Sequence, residues 1–335
     1  MLKYPKNYNQ FINVCKRDAR FFKVYEKLGS PRPFDVSLRD GLQGLTPKQQ
    51  EWFTYDRKKD FFHKIIDEQN PQSIELGSIV SSKILPIFQD SKELFRYTAT
   101  QVPEYMIHPF LLIPNIKSLS TVLLDNTIQC NHFSFITSIS NSFQYKNTKK
   151  TIEETQNEMK NMLEQVNSRT TNTNTNTNTN MNMNTNMNTN MNTNMNTKIK
   201  LYISCINECP LEGKKDNDFI INEIIKYNNH NFDTICLSDT MGTLDPSDFE
   251  YIVDNCNKNG LPFSKISLHL HVKKERKSIA KNLFHKALDR NIVNFDVSAI
   301  ESGGCSVTMD KSKLNPNLTY ELYYEFLTNY IIRNM

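Results

Sequence analysis

Glycine is scarce in this chain, with nine residues in 335, and none are spaced as G-x-G-x-x-G. A dinucleotide-binding turn needs that spacing to bring backbone against a pyrophosphate, so the doubly wound nucleotide fold loses its main support. Long apolar runs are missing too; the longest are strand-sized, well short of the ~18 residues of a membrane span. The first residues lack the apolar stretch of a secretory signal. They are basic like a transit peptide, but Asp18 and Glu26 fit that poorly, and a cytoplasmic location is expected. Seven cysteines, an odd number without dense spacing, make no disulfide framework and read as reduced thiols. Neither sign of charge dominates, with 40 Lys and Arg against 36 Asp and Glu, and no basic block is dense enough for a nucleic-acid face. Neither a nucleic acid nor a membrane is therefore an expected partner.

What the chain does have is a strand pattern that recurs eight times. Short β-branched or aromatic runs stand at Pro33–Leu38, Ser73–Ser78, Phe110–Asn115, His132–Ser138, Lys198–Cys205, Thr234–Asp239, Lys265–His271 and Asn294–Ala299, each followed by a helix-like stretch. Thr46-Pro47-Lys48-Gln49 reads as an N-cap, a first-turn proline and a box-closing Gln, and Asp245-Pro246-Ser247-Asp248 repeats the device. Strand alternating with helix eight times predicts an α/β fold of the (β/α)8 TIM barrel type, spanning 33–335 after an extension at 1–32. One spacing is anomalous. The fourth and fifth strands begin about 66 residues apart, against about 22 to 40 elsewhere, and the excess is filled by Asn alternating with Thr or Met over Thr170–Thr197. Such a tract (168–197 at its widest) has almost no apolar surface to offset its ordering entropy, which predicts a disordered insertion. It precedes a strand, so it falls on the barrel face opposite the one where active sites of this fold lie.

Function should then be legible where strands end. Strand one runs into Arg39-Asp40-Gly41-Leu42-Gln43, able to present a cation and an anionic ligand to one pocket. Strand seven ends His269-Leu270-His271; side chains two apart share a face, and two imidazoles there suit a divalent metal with Asp40 as oxygen ligand. Asp239, ending strand six, is either an acid–base or orienting group or a turn cap. Glu75, between Ile74 and Leu76 on strand two, is expected at the barrel mouth with Arg39 as its partner. After strand eight, Gly303-Gly304 allow a loop to fold over a ligand, with Cys305 as a candidate acid or proton shuttle. Cys205 and Cys209 lack a second thiol pair and read as structural.

Together these fragments resemble the pyruvate-carboxyltransferase-like metallolyase family, and within it the 3-hydroxy-3-methylglutaryl-CoA lyases. The likeness runs from about Phe34 to Leu322. Arg39 to Gln43 matches the family's RDGLQ, Ile74-Glu75 with Ser78 to Ser81 its IE-x-x-SFVS, and Ile113-Pro114-Asn115 its TPN. Tyr202 to Cys205 with Cys209-Pro210 and Glu212-Gly213 is similar to its YVSC…CP-x-EG, Asp239-Thr240 with Gly242 to its GDT-x-G, His269 and His271 to its H-x-H, and Gly303 to Cys305 to its GGC loop.

The resemblance implies a Mg²⁺ or Mn²⁺ ion held by Asp40, His269, His271 and, as the best match for a further ligand, Asn317. It implies retro-aldol cleavage of a hydroxyacyl thioester, an acyl-CoA or hydroxy-acid substrate, and a homodimer. Arg39 would stabilise the enolate, His271 and Asp239 would lie near the base, and Cys305 would help in protonation; Glu75 and Gln43 complete the expected catalytic set. Three positions depart from the pattern: Val272 follows the H-x-H where the family has Asp or Asn, with Lys273 and Lys274 after it; Ser306-Val307 follows the GGC where the family has Pro-Tyr; and Ser238 replaces the Gly of GDT. An acetyl-CoA-dependent condensing synthase shares the Arg-Asp pair and the H-x-H, but the GGC loop and a chain that stops at Met335 argue against it. A barrel that has lost turnover is a third reading, motivated by Val272 and the altered loop.

Overall fold

The computed structural model describes residues 4–103, 106–176, 197–304, 306–310 and 314–335. Eight strands, β1 (Phe34–Asp35), β2 (Ser73–Ser78), β3 (His108–Leu112), β4 (His132–Ser138), β5 (Lys198–Ser204), β6 (Thr234–Asp239), β7 (Ile266–Leu270) and β8 (Asn294–Val297), close into one barrel with β8 pairing back onto β1. Every neighbouring pair is parallel, with the longest register between β4 and β5, from His132↔Lys198 to Ser138↔Ser204. The expected TIM barrel is the observed fold.

The two faces of the strands explain why these segments pair. On β5, Ile199, Leu201 and Ile203 join the main apolar core between the sheet and the helices, as do Ile235 and Leu237 of β6, Ile266, Leu268 and Leu270 of β7, and Phe295 and Val297 of β8. The alternate residues turn inward. There the barrel is plugged by a small apolar cluster of Leu112, Tyr202 and Cys236, with Ile136 packed against it. Polar side chains surround this plug, and they become the site.

Several details differ from the sequence reading. The first strand is two residues long, not six. Asp35 accepts hydrogen bonds from the Ser37 amide (2.9 Å) and the Ser37 hydroxyl (2.8 Å), a local bonding pattern that competes with the sheet ladder. The chain then enters a wide π-turn, Ser37–Gly41, in which the Gly41 amide donates to the Val36 carbonyl at 3.1 Å. Thr46 and Gln49 form the expected capping box. The second helix starts where expected, with Asp245 at the N-cap and Pro246 in the first turn, but Asp245 makes no side-chain bond to its helix and its carboxylate faces Arg276 at 2.8 Å instead. The helix before β5 runs Ile152–Asn176, so it continues past Thr170 into the tract read as disordered. Once nucleated, a helix gains one hydrogen bond for each residue it adds. The rest of the tract, 177–196, lies outside the described residues. Lys198 opens β5 at the N-terminal end of the barrel, away from the strand ends that carry the site.

Residues ahead of the barrel form helices Tyr8–Arg17 and Ala19–Lys27. Their buried aromatic side chains join the main core. The Phe11 ring lies 5.0 Å from Tyr25 and 5.2 Å from Tyr324 of the last helix, Tyr320–Arg333. Replacing Phe11 with Ala should cost about 3–5 kcal/mol in a urea unfolding measurement, because the gap is enclosed by rings that cannot collapse into it. A loss under 1 kcal/mol would mean that these helices are not part of the cooperative unit.

Asp35 supplies a pH signature. Burial pushes its carboxyl up to about 6, against the opposing hydrogen bonds from Ser37 and from the Tyr320 hydroxyl at 2.8 Å. Between about pH 4 and pH 6 the native state keeps a proton that the unfolded chain has released. Stability from this group therefore falls as pH rises through that window. Unfolding measured from pH 4 to 7 should show wild type losing ground relative to Asp35→Asn.

Candidate active site

β7 and the π-turn after β1 bring three potential ligands together. Asp40, His269 and His271 are all buried, and one ligand atom from each lies within 4.8 Å of the others. The imidazoles are fixed from behind. His269 Nδ1 lies 3.2 Å from Oδ2 of Asp296 on β8, leaving its Nε2 3.8 Å from Asp40 Oδ2. His271 Nδ1 lies 3.0 Å from the Asn315 carbonyl, which can only accept, so the proton sits on Nδ1 and Nε2 keeps a lone pair. Burial, with the neighbouring His269, pushes His271 down to about 4, so the ring is neutral at neutral pH. Burial by itself would push Asp40 up, but the Arg39 guanidinium and both imidazoles outweigh it and hold the carboxyl well below the usual range. An anionic oxygen and two imidazole nitrogens make a donor set for a divalent cation.

Arg39 is buried with its charge fully paired. Its Nε donates to Glu75 Oε2, its Nη1 donates to Asp40 Oδ1 at 2.7 Å, and the guanidinium carbon lies 5.1 Å from the centre of the Tyr202 ring. The Tyr202 hydroxyl donates to the same Glu75 oxygen at 3.3 Å. Glu75 faces the barrel interior as expected, with Arg39 as its partner. Gln43 is buried on the same turn, and its backbone carbonyl accepts from the Gln50 side-chain Nε2 at 3.4 Å.

The loop after β8 is strapped to this turn. The Gly304 amide donates to Asp40 Oδ2 at 3.0 Å, and the Ser302 hydroxyl donates to the Gly41 carbonyl at 2.8 Å. Gly304 has φ +96°, a conformation open to glycine. At Gly44 a Cβ would fall 2.6 Å from the Gly303 amide nitrogen, so the two loops touch through backbone. Asn317 is buried against Gly303 and pairs with His271 in a β-bridge; its Nδ2 donates to the Ser302 carbonyl at 3.0 Å, while its Oδ1 is buried with no hydrogen-bond partner among the described residues. An orphaned oxygen beside the Asp/His/His group fits a further metal ligand better than it fits an apolar packing role. Cys305 lies outside the described residues.

Asp239 is buried and spends each oxygen on a backbone amide, Thr243 and Leu244, both at 3.0 Å. It pins the turn after β6, and burial pushes its carboxyl up to about 6. Together with His271 it lines a cavity of about 10 Å³. Val272, the departure after the H-x-H, turns into the main core, and Lys274 is exposed on an outer groove. Ser238 is buried, in register with His269.

Sequence reasoning missed Lys200 and Asp296. Lys200 is buried on β5, ion-paired to Asp296, with its Nζ 3.5 Å from the Phe34 ring centre and 4.6 Å from that of Tyr202. The signal was present: each is a charge between apolar neighbours on a barrel strand, the pattern that singled out Glu75.

A search of curated proteins finds no match. Among solved structures the chain is similar to an HMG-CoA lyase from Acenitobacter baumannii in complex with coenzyme A and 3-methylmalate (TM-score 0.68, 21% identity, covering 87% of this chain and 80% of that one). It is also similar to HMG-CoA lyases from Brucella melitensis (TM-score 0.65, 18% identity, 91% and 97% covered) and Pseudomonas aeruginosa (TM-score 0.63, 19% identity, 86% and 82% covered). At these identities the likeness carries the fold. The HMGL-like family profile matches residues 30–275, a span that holds the Arg39-Asp40 turn, Glu75, Asp239 and both site histidines, and on that match the chain belongs to the HMGL-like family.

Proposed function

We propose that this protein is a divalent-metal-dependent carbon–carbon lyase that cleaves a 3-hydroxy-3-methylglutaryl-CoA-like thioester to acetyl-CoA and a 3-oxo acid. The observation that carries this reading is the convergence of Asp40, His269 and His271 at the strand ends, with a buried arginine beside them. Asp40, His269, His271 and Asn317 would hold the ion, and a mixed oxygen and imidazole set suits Mg²⁺ or Mn²⁺. When bound, such an ion supplies Lewis acidity that makes a substrate hydroxyl easier to deprotonate.

The chain's own groups divide the remaining work. Asp239 takes the proton of the C3 hydroxyl; each of its oxygens keeps a second lone pair beyond its amide bond, and its affinity for a proton is tuned towards neutrality. The C2–C3 bond then breaks, C3 becomes a ketone, and the electron pair passes to the thioester as an enolate. Arg39, held by Glu75 and Asp40, stabilises the enolate oxygen as charge develops there. Cys305 returns a proton to C2. Glu75 acts through Arg39, and Gly303 and Gly304 shape the loop that covers the substrate. Gln43, on the same turn as Asp40, helps to form the pocket wall.

With Mn²⁺ present, incubation with 3-hydroxy-3-methylglutaryl-CoA should release acetyl-CoA, and a chelator should abolish the release. His271→Ala should lose both bound metal and cleavage, measured by metal analysis and a coupled acetyl-CoA assay. Release of free CoA from acetyl-CoA and a 2-oxo acid, with no cleavage, would replace this reading with a condensing synthase. Wild-type protein without stoichiometric metal would favour a barrel that binds without turnover.

The base assignment makes a pH prediction. Asp239 must be ionised to accept a proton, so kcat should fall as pH drops below about 6. Asp239→Asn should lower kcat by roughly 10²–10⁴-fold with metal still bound. A wild-type rate in that variant would return Asp239 to the role of a turn cap.

A further inference from the structure

The contacts inside the barrel form a circuit that begins and ends on proposed metal ligands. Asp40 pairs with Arg39, Arg39 with Glu75, and Glu75 accepts from Tyr202. The Tyr202 ring lies under the Lys200 ammonium, Lys200 pairs with Asp296, and Asp296 contacts His269, whose far nitrogen faces Asp40 again. Lys200 touches neither substrate-side ligand, yet it is buried at 2% exposure among Phe34, Tyr202 and Asp296.

We infer that Lys200 and Asp296 are positioning residues: Asp296 holds His269 with its proton on Nδ1 and its Nε2 lone pair aimed at the ligand cluster, and Lys200 holds Asp296 in place to do so. This rests on His269 being a ligand in the proposed function. Asp296 has two oxygens and two tasks, since Oδ1 meets the Lys200 ammonium and Oδ2 lies 3.2 Å from His269 Nδ1. A carboxylate anchored through one oxygen cannot rotate away from the imidazole without breaking a buried ion pair, which is costly. A carboxylate oxygen can only accept, and Oδ2 also receives the Cys236 thiol at 3.8 Å, so the ring nitrogen facing it carries the proton and the tautomer is set by the partner behind the ring. Lys200 in turn is fixed by two aromatic faces on its other sides, which attract a cation.

The test uses the full chain and two readouts besides turnover: Mn²⁺ affinity by calorimetry, and the histidine ring nitrogens by long-range ¹H–¹⁵N NMR of metal-free protein. Wild type should show His269 protonated on Nδ1. Asp296→Asn can turn its amide N–H towards the ring, and should shift the proton to Nε2 and weaken Mn²⁺ binding by about 10–100-fold. Lys200→Met should weaken binding in the same range. The double variant, which removes both buried charges and so is the safest to fold, should bind no more weakly than Asp296→Asn, because Lys200 acts only through Asp296. Additive losses in the double variant would remove Lys200 from the chain of action. An unchanged tautomer and Mn²⁺ affinity in folded Asp296→Asn would overturn the inference altogether. Wild type that binds Mn²⁺ but cleaves no thioester would sink the lyase reading and leave this one standing.

Discussion

Charges buried inside a barrel persist only in pairs, and this constraint organises the molecule. Glu75, Lys200 and Asp296 on the inner face of the sheet, and Arg39 on the turn after β1, are all taken out of water. Unpaired, each would carry a desolvation cost of several kcal/mol. Paired, they form two bridges, one from the turn after β1 to β2 and one from β5 to β8, so the barrel must close before the charges can be satisfied. The same bridges leave Asp40 and two imidazoles aimed at one point. Site geometry and barrel closure are thus one arrangement seen from two sides.

The apolar outer face provides the stability that such an interior lacks. Ile and Leu residues on one side of β5, β6 and β7 pack under the helices, while Lys200, Tyr202, Cys236 and His269 occupy the other. A period of two in the sequence therefore separates a layer that holds the fold from a layer that carries the proposed site. The small plug of Leu112, Tyr202 and Cys236 closes the barrel interior to solvent and sets the depth at which polar groups begin.

Much of this was legible in the sequence because strands and their ends have strong local signatures. All eight runs place their strands within about two residues at the start, and the H-x-H spacing was enough to put two rings on one face. The partnership of Glu75 with Arg39 followed from the cost of a lone buried carboxylate. What local reading could not give was competition between bonding patterns. Asp35 diverts Ser37 out of the ladder, which shortens β1 and lifts Arg39 and Asp40 onto a π-turn; nothing in the spacing of apolar residues records that. Asp245 looked like a cap, but Arg276, thirty-one residues further on, takes its carboxylate. Lys200 and Asp296 each show a charge between apolar strand neighbours, but the partnership itself spans 96 residues and is not written in either neighbourhood.

The bond from the Gly304 amide to the Asp40 carboxylate joins positions 264 residues apart, and Gly44 meets Gly303 across the same seam. The first and the last strand loops of the barrel are thereby sewn together at the site. Contacts so distant along the chain form late, after the entropy of closing the intervening polypeptide has been overcome. During synthesis, most of the barrel will have emerged before Asp40 meets the groups that complete its surroundings. The proposed cation site is completed in the same event that finishes folding, so incompletely made chains carry Asp40 without the surroundings it has in the finished barrel.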